Sequence, residues 1–482
     1  MPRSPAGRDA ARGPAGGLQF DRLRDDPWPA PSRRPSPRRC PRRTRALLPR
    51  VPPYESTRPV SSSLRRRLRA DLVERPKTSV PALDGIRALG SVIVLVFHCA
   101  VFCGAFHAQA IESGRFAVPR AIAAGLWSGV DILFVLSGFL IGRILATSLH
   151  AKGALQLGRY VVRRAFRILP AYYLVLTLAL FALVPLAGRR GAFPLLFQFA
   201  GYDELRAGAW TSYLFVSNYE DPARPSLMPW GWSVCVEWQF YVLVPLFVWA
   251  LFQLQSAVAR GALLAAGATL PVAGRAFQFA RDPELRVLDG LYYYSHNRFD
   301  ELMVGVVVAY LFAVHRDALE RWVGRAGSAL GVAGLSCWAL VWTLGGVHET
   351  GAFAVVAQFS VVAIGTGLLI VHALFREDAI TRFFAHGAWY PLSRISYGTY
   401  LLHPFVLFGL MSAYFAAGRP NPLGEDALFA GLTLATFAVT SLLAAAMFVA
   451  WERPFLDWGG RLADRERRPR AAAPDGPSRP AC

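Results

Sequence analysis

Runs of about twenty apolar residues recur along most of this chain, and they constrain its fold more than any other feature. A helix of ~20 apolar residues crosses a ~30 Å hydrocarbon core, where every backbone amide must find its partner within the segment or its barrel. Ten candidate spans are read at 88–108, 121–147, 166–187, 231–252, 258–276, 299–315, 328–346, 352–374, 395–416 and 427–450, with 258–276 and 299–315 the weakest. A further stretch, 193–216, is interrupted by Asp203 and Glu204 and is assigned to an outer loop, as a re-entrant or interfacial helix. Charged residues make up only 17% of the 482 and hydrophobic residues 54%, against about 25% charged in soluble domains. A soluble enzyme is therefore excluded. The expected fold class is all-α: a polytopic membrane helix bundle of about ten transmembrane helices over residues 81–456, with disordered cytoplasmic tails.

The formal net charge of +20 sits mostly in one tail. Residues 1–80 hold 19 Arg and one Lys against seven acids, a net of +13 in a segment rich in Pro, Ser and Gly. With few apolar residues to offset ordering entropy, this tail reads as disordered. A basic segment before a membrane span holds its end in the cytoplasm and touches anionic lipid, so no nucleic-acid partner is inferred. Residues 457–482 read as a second disordered basic tail, and an even number of spans returns it to the cytoplasmic side. The expected location is the bacterial inner membrane, multi-pass, with both termini cytoplasmic. Six cysteines form no CxxC pair, so no metal or redox site is expected.

Ionisable groups inside a bilayer are costly and mark candidate sites. His98 lies eleven residues beyond Arg87, about 16 Å along a helix and on nearly the same face, with Asp84 near that stripe. Asp84 and Arg87 are expected to pair at its inner end. Glu237 stands about six residues inside the outer end of its span, and Asp131 near the outer end of another, with Ser137 and Gly138 deeper. Arg163 and Arg167 are spaced i, i+4 at a cytoplasmic mouth with Arg164 between them, a pattern that suits phosphate or plain anchoring. His403 lies about eight residues into a span.

These segments carry five motifs: LDGIRALGSVIVLVFH at 83–98, GVDILFVLSGFLI at 129–141, RRAFRILPAYY at 163–173, WSVCVEWQFY at 232–241 and ISYGTYLLHPF at 395–405. In order and spacing they resemble the acyltransferase-3 family of bacterial integral-membrane acyltransferases across about residues 82–456. Many members carry a second acid directly after the glutamate; here that position is Trp238. Some relatives add an outer hydrolase-type domain. Only 26 residues follow Leu456, so acceptor choice is expected to come from the membrane body or a separate partner.

The resemblance implies transfer of an acyl group, often acetyl, from cytoplasmic acyl-CoA to a hydroxyl of a carbohydrate, lipid-linked glycan or secondary metabolite. Acyl-CoA is then a donor substrate, and no bound cofactor is expected. Arg163, Arg164 and Arg167 are assigned to the CoA phosphates, Asp131 and His403 to substrate, and Asp84, Arg87, His98 and Glu237 to catalysis. His98 acts either as general base or as a transient acyl carrier; Ser137 is the less favoured carrier. A transporter or flippase is the rival class, against which no inverted repeat is seen between the two halves.

Overall fold

The computed structural model describes residues 71–76, 79–106, 125–185, 201–220, 226–416 and 425–465. Among them no strand occurs, and, besides short 3-10 turns and the one-turn helix Val287–Gly290, the elements are longer helices. In chain order these are α1 (Pro81–Phe106), α2 (Gly129–Lys152), α3 (Leu157–Leu178), α4 (Tyr202–Tyr213), α5 (Trp232–Gln253), α6 (Ala257–Arg281), α7 (Ser295–Val314), α8 (Arg316–Ala326), α9 (Ala329–Leu344), α10 (Gln358–Phe375), α11 (Ala379–Ala385), α12 (Trp389–Ala416), α13 (Glu425–Met447) and α14 (Arg453–Arg465). Single π-helical turns extend α3 through Leu183, precede α10 from Phe353 and join α13 to α14 at Phe448–Glu452.

The all-α class holds, and ten spans are not reached among the described residues. Among the described residues, seven helices are long and apolar enough to cross a membrane, or eight if α7 and α8, bent by 108° at their junction, count as one. Two expected spans fall short for different reasons. α9 is apolar but only 16 residues long, about 24 Å of helix. α12 has 28 residues but is diluted by Ser393, Arg394, Ser396, Thr399 and His403 along its length. By contrast, 258–276, read as weak, lies within a full 25-residue apolar helix.

Residues 1–70 lie outside the described residues, as do 466–482. The C-terminal segment does not lose structure at 457, because α14 runs on to Arg465. Its aromatic face meets α3 through Phe166 and Trp458, whose rings lie 5.1 Å apart. Arg159 and Arg163 reach Asp464 at 3.0 and 3.2 Å. The stretch 193–216 contains α4, which is held to α3 where the Tyr172 hydroxyl donates to the Ser212 carbonyl at 3.1 Å.

Close helix crossings are made by small residues, as expected where lipid supplies no hydrophobic drive between helices. One of the tightest joins α2 to α7. A Cβ placed on Gly138 would lie 2.0 Å from the Leu302 carbonyl oxygen, and one on Gly305 would lie 2.2 Å from that of Val135. The two glycines interlock, each facing the other helix's backbone, and backbone cannot rotate away. Gly90 of α1 and Gly129 of α2 repeat the device. These contacts bring α1 and α2 together along one side of an interior cavity.

Replacing Gly138 by Ala is expected to destabilise the bundle by at least about 1–3 kcal/mol, the usual cost of overpacking. Gly261, exposed on α6 with nothing within 4 Å of its Cβ position, is the control: its alanine variant should be neutral or up to ~1 kcal/mol more stable through helix propensity. Thermal unfolding in detergent measures both, and equal midpoints would refute the interlocked crossing.

Candidate active site

The cavity, about 130 Å³, lies among α1, α2, α3, α5 and α12. Its chemistry centres on Glu237. The hydroxyls of Ser137 on α2 and Tyr241 on α5 both donate to Glu237 Oε1, and the two hydroxyl oxygens lie 2.5 Å apart. Tyr241 is one turn beyond Glu237, so α5 presents both on the same face. Tyr241 is also fixed by its backbone, whose carbonyl accepts from the Tyr160 hydroxyl at 3.0 Å. The two hydroxyls solvate the Glu237 carboxylate, while the neighbouring Trp238 stacks on Phe215 with ring centroids 5.1 Å apart.

Three guanidinium groups line the same cavity: Arg87 from α1, Arg164 and Arg167 from α3. Arg164 lies 5.8 Å from the Tyr241 ring centroid, a cation–π distance. None of the three forms an ion pair with another described residue. Three positive charges against the single carboxylate of Glu237 leave a surplus of two among the described lining residues. Such a surplus in a water-poor cavity favours an anionic ligand.

Towards the far end of α1 the seam with α12 continues. Ser91 lines the cavity and donates to the Ser396 carbonyl at 3.3 Å. Two turns further, about 10 Å along the axis, His98 meets His403 of α12. His403 Nε2 lies 2.9 Å from His98 Nδ1, and the rings are 4.9 Å apart. His403 is 1% exposed, and its Nδ1 lies 3.0 and 2.9 Å from the Thr399 and Tyr400 carbonyl oxygens. Tyr400, one turn before His403, lines the cavity, whereas neither histidine does. The histidine pair therefore stands just beyond the cavity on the same helix seam.

The other residues singled out in the sequence divide differently. Asp84 does not pair with Arg87; it pairs with Arg75 at 3.1 Å, a residue that precedes α1. That leaves Arg87 to the cavity. Arg163 and Arg167 share a helix face in projection but not a partner. Arg163 turns to Asp464, so the cations that α3 gives the cavity are Arg164 and Arg167. Asp131 is fully buried and pairs with Arg298 of α7, away from Glu237. Arg298 also donates to Glu301 at 2.8 Å and to the Tyr292 carbonyl at 2.7 Å. Beside it Arg275 of α6 grips Asp300 through two bonds of 2.9 and 2.8 Å and reaches Ser360 of α10 at 2.9 Å. The sequence signal for this network was the string SHNRFDE at 295–301, six polar or charged residues of seven at the mouth of an apolar run. Tyr241 lay inside a quoted motif, but its role depends on the fold bringing α2 and α5 together.

Residues 80–451 match the family described as the acyltransferase domain. The chain belongs to the acyltransferase-3 family. The match takes in every cavity and seam residue named above, from Arg87 to His403. Similar curated proteins include the peptidoglycan O-acetyltransferase OatA of Listeria monocytogenes, 25% identical over 71% of this chain and 51% of its own length. The O-acetyltransferase OatA of Staphylococcus aureus is 23% identical over 70% of this chain and 52% of its own. The putative peptidoglycan O-acetyltransferase YrhL of Bacillus subtilis is 29% identical over 50% and 35%. The chain thus spans about half the length of the OatA relatives it matches. No solved structure matches. Among the described residues no group of three or more His, Cys, Asp or Glu side chains is arranged to hold a metal ion. As an acyltransferase-3 protein with seven or eight membrane-length helices, the chain is a multi-pass membrane protein.

The buried ion network predicts how Asp131 behaves. Arg298→Leu leaves two carboxylates facing hydrocarbon without their cation, and breaking such a pair costs about 3–5 kcal/mol. Asp131→Ala should likewise lower the unfolding midpoint in detergent while leaving substrate KM unchanged. A raised acceptor KM at unaltered stability would return Asp131 to the substrate site.

Proposed function

We propose that this chain is a membrane O-acyltransferase that moves an acetyl or other short acyl group from cytoplasmic acyl-CoA to a hydroxyl of a carbohydrate, lipid-linked glycan or secondary metabolite. The observation that carries this reading is the cavity surplus of positive charge beside Glu237, continuous along α1 and α12 with the histidine pair. A carbohydrate acceptor is the preferred class, because the relatives above are named as peptidoglycan O-acetyltransferases. The same reading places the chain in the bacterial inner membrane with both termini cytoplasmic. The Arg-rich ends of α1 and α3 then face the CoA pool.

In this mechanism Arg87, Arg164 and Arg167 draw in the anionic donor, whose acyl end reaches along the α1–α12 seam toward His98. His98 removes the proton from the acceptor hydroxyl as its oxygen attacks the thioester carbonyl. The C–S bond breaks, the ester forms, and the CoA thiolate recovers a proton. Asp84, held by Arg75, keeps the start of α1 in place. His98→Gln retains polarity without the base, so turnover should fall by about 10²–10⁴-fold at normal membrane levels. Retention of more than about a tenth of wild-type turnover would end the general-base role. Arg164→Ala with Arg167→Ala should raise the apparent donor KM at least about tenfold, since each charge-assisted contact contributes roughly 1.5–3 kcal/mol. An unchanged donor KM would refute donor binding here.

A second reading is favoured by one contact. Ser137 donates to the Glu237 carboxylate, the arrangement of a nucleophile with its base. In that route the acyl group passes through a Ser137 ester before reaching the acceptor. Ser137→Ala separates the two: a loss of at least about 10²-fold, with an acyl-Ser137 mass trapped in the wild type, supports the two-step route. Near-normal turnover leaves direct transfer.

A further inference from the structure

The two histidines that stand beyond the cavity are not equivalent. We propose that His403 is a positioning residue that locks His98 in the tautomer whose Nε2 is an open lone pair. The proposal rests on the reading of His98 as general base.

The protons can be placed from the neighbours alone. His403 Nδ1 faces two carbonyl oxygens, of Thr399 at 3.0 Å and Tyr400 at 2.9 Å. Carbonyls only accept, so Nδ1 carries the proton. In the neutral ring Nε2 is then bare, and it lies 2.9 Å from His98 Nδ1. That contact is a hydrogen bond only if His98 Nδ1 carries a proton. The Val94 carbonyl, 3.0 Å from the same nitrogen, requires the same. A neutral His98 protonated on Nδ1 has its lone pair on Nε2, which has no hydrogen-bond partner among the described residues. The reverse assignment fails, because a bare His98 Nδ1 would face the Val94 oxygen lone pairs.

The anchor is written into the sequence as the dipeptide His403–Pro404. Proline has no N–H, so Pro404 cannot bond the carbonyl four residues earlier, which belongs to Tyr400. That freed carbonyl is the one His403 Nδ1 takes at 2.9 Å. The proline thus supplies the acceptor that orients His403, and His403 orients His98. Tyr400 faces the cavity from the same turn, so the anchor is joined to the site it serves. A buried ring with both nitrogens engaged has none left for a substrate.

Two measurements test this on the full-length protein in detergent. Ring ¹⁵N NMR, assigned with His98→Gln and His403→Gln, reads the tautomers without turnover. His98 should be protonated on Nδ1 and bare on Nε2; the opposite pattern overturns the proposal. Kinetics with acetyl-CoA and a chito-oligosaccharide read the consequence. His403→Met fills the volume without an acceptor and should lower kcat by about 10–10²-fold with both KM values unchanged. His403→Gln offers an amide oxygen to His98 Nδ1 and should recover most of that loss, while Pro404→Ala should fall between. A raised acceptor KM with normal kcat would make His403 a substrate ligand, and full activity in His403→Met would make it a packing residue; either defeats the proposal. An active His98→Gln with the expected wild-type spectrum would instead remove the general-base role, leaving the tautomer assignment intact.

Discussion

A guanidinium or carboxylate cannot remain alone in hydrocarbon, and the rest of this bundle is arranged around how that constraint is met. Arg298 is fully buried and satisfied on three sides, by Asp131 of α2, by Glu301 one turn along α7 and by the Tyr292 carbonyl. Arg275 does the same for α6, α7 and α10 through Asp300 and Ser360. Buried pairs of this kind add little net stability, because desolvation offsets attraction, but a mispaired alternative costs several kcal/mol. They therefore select one register of α2 on α7. In that register Gly138 and Gly305 interlock, and Ser137, the residue before Gly138, is turned to Glu237.

The cavity breaks the rule that the network obeys. Arg87, Arg164 and Arg167 converge there with one carboxylate among the described lining residues, and under the proposed function the anionic donor supplies the balancing charge. That difference separates structural from functional ions in this chain better than depth in the membrane does. Asp131 and Glu237 both lie in the first half of their helices. Only Glu237 shares its surroundings with uncompensated cations. Arg163 and Asp84 fall on the structural side too, one tying α14 to α3 and the other holding the segment before α1.

Much of this was legible from residues alone, and the misses have identifiable causes. Helix class, the Arg87–His98 stripe and the cluster at 232–241 follow from periodicity within single segments, where local geometry decides. Pairings between segments do not. Asp84 and Arg87 are three residues apart and were natural partners, yet Arg75, outside any apolar run, reaches Asp84 first. Asp131 has no local clue to Arg298, 167 positions away. Arg163 and Arg167 lie one turn apart, but α14, a helix in a segment whose polarity reads as disorder, takes one of them. The encounter of His98 with His403 joins the first motif to the last and is likewise invisible until the helices are packed.

α12 shows why span counting and site finding pull in opposite directions. Its 28 residues make about 42 Å of helix, ample for a bilayer, yet its polar side chains dilute the apolar signal. Several of those side chains build the site: Ser396, Tyr397 and Tyr400 line the cavity and His403 meets His98. Pro404, which ought to weaken a helix by removing a backbone bond, instead frees the carbonyl that His403 uses. A polar residue in a lipid-facing stripe would be selected against, whereas one facing a cavity finds partners and persists. α12 is thus a helix whose polar residues say more about the chemistry than its length says about the span.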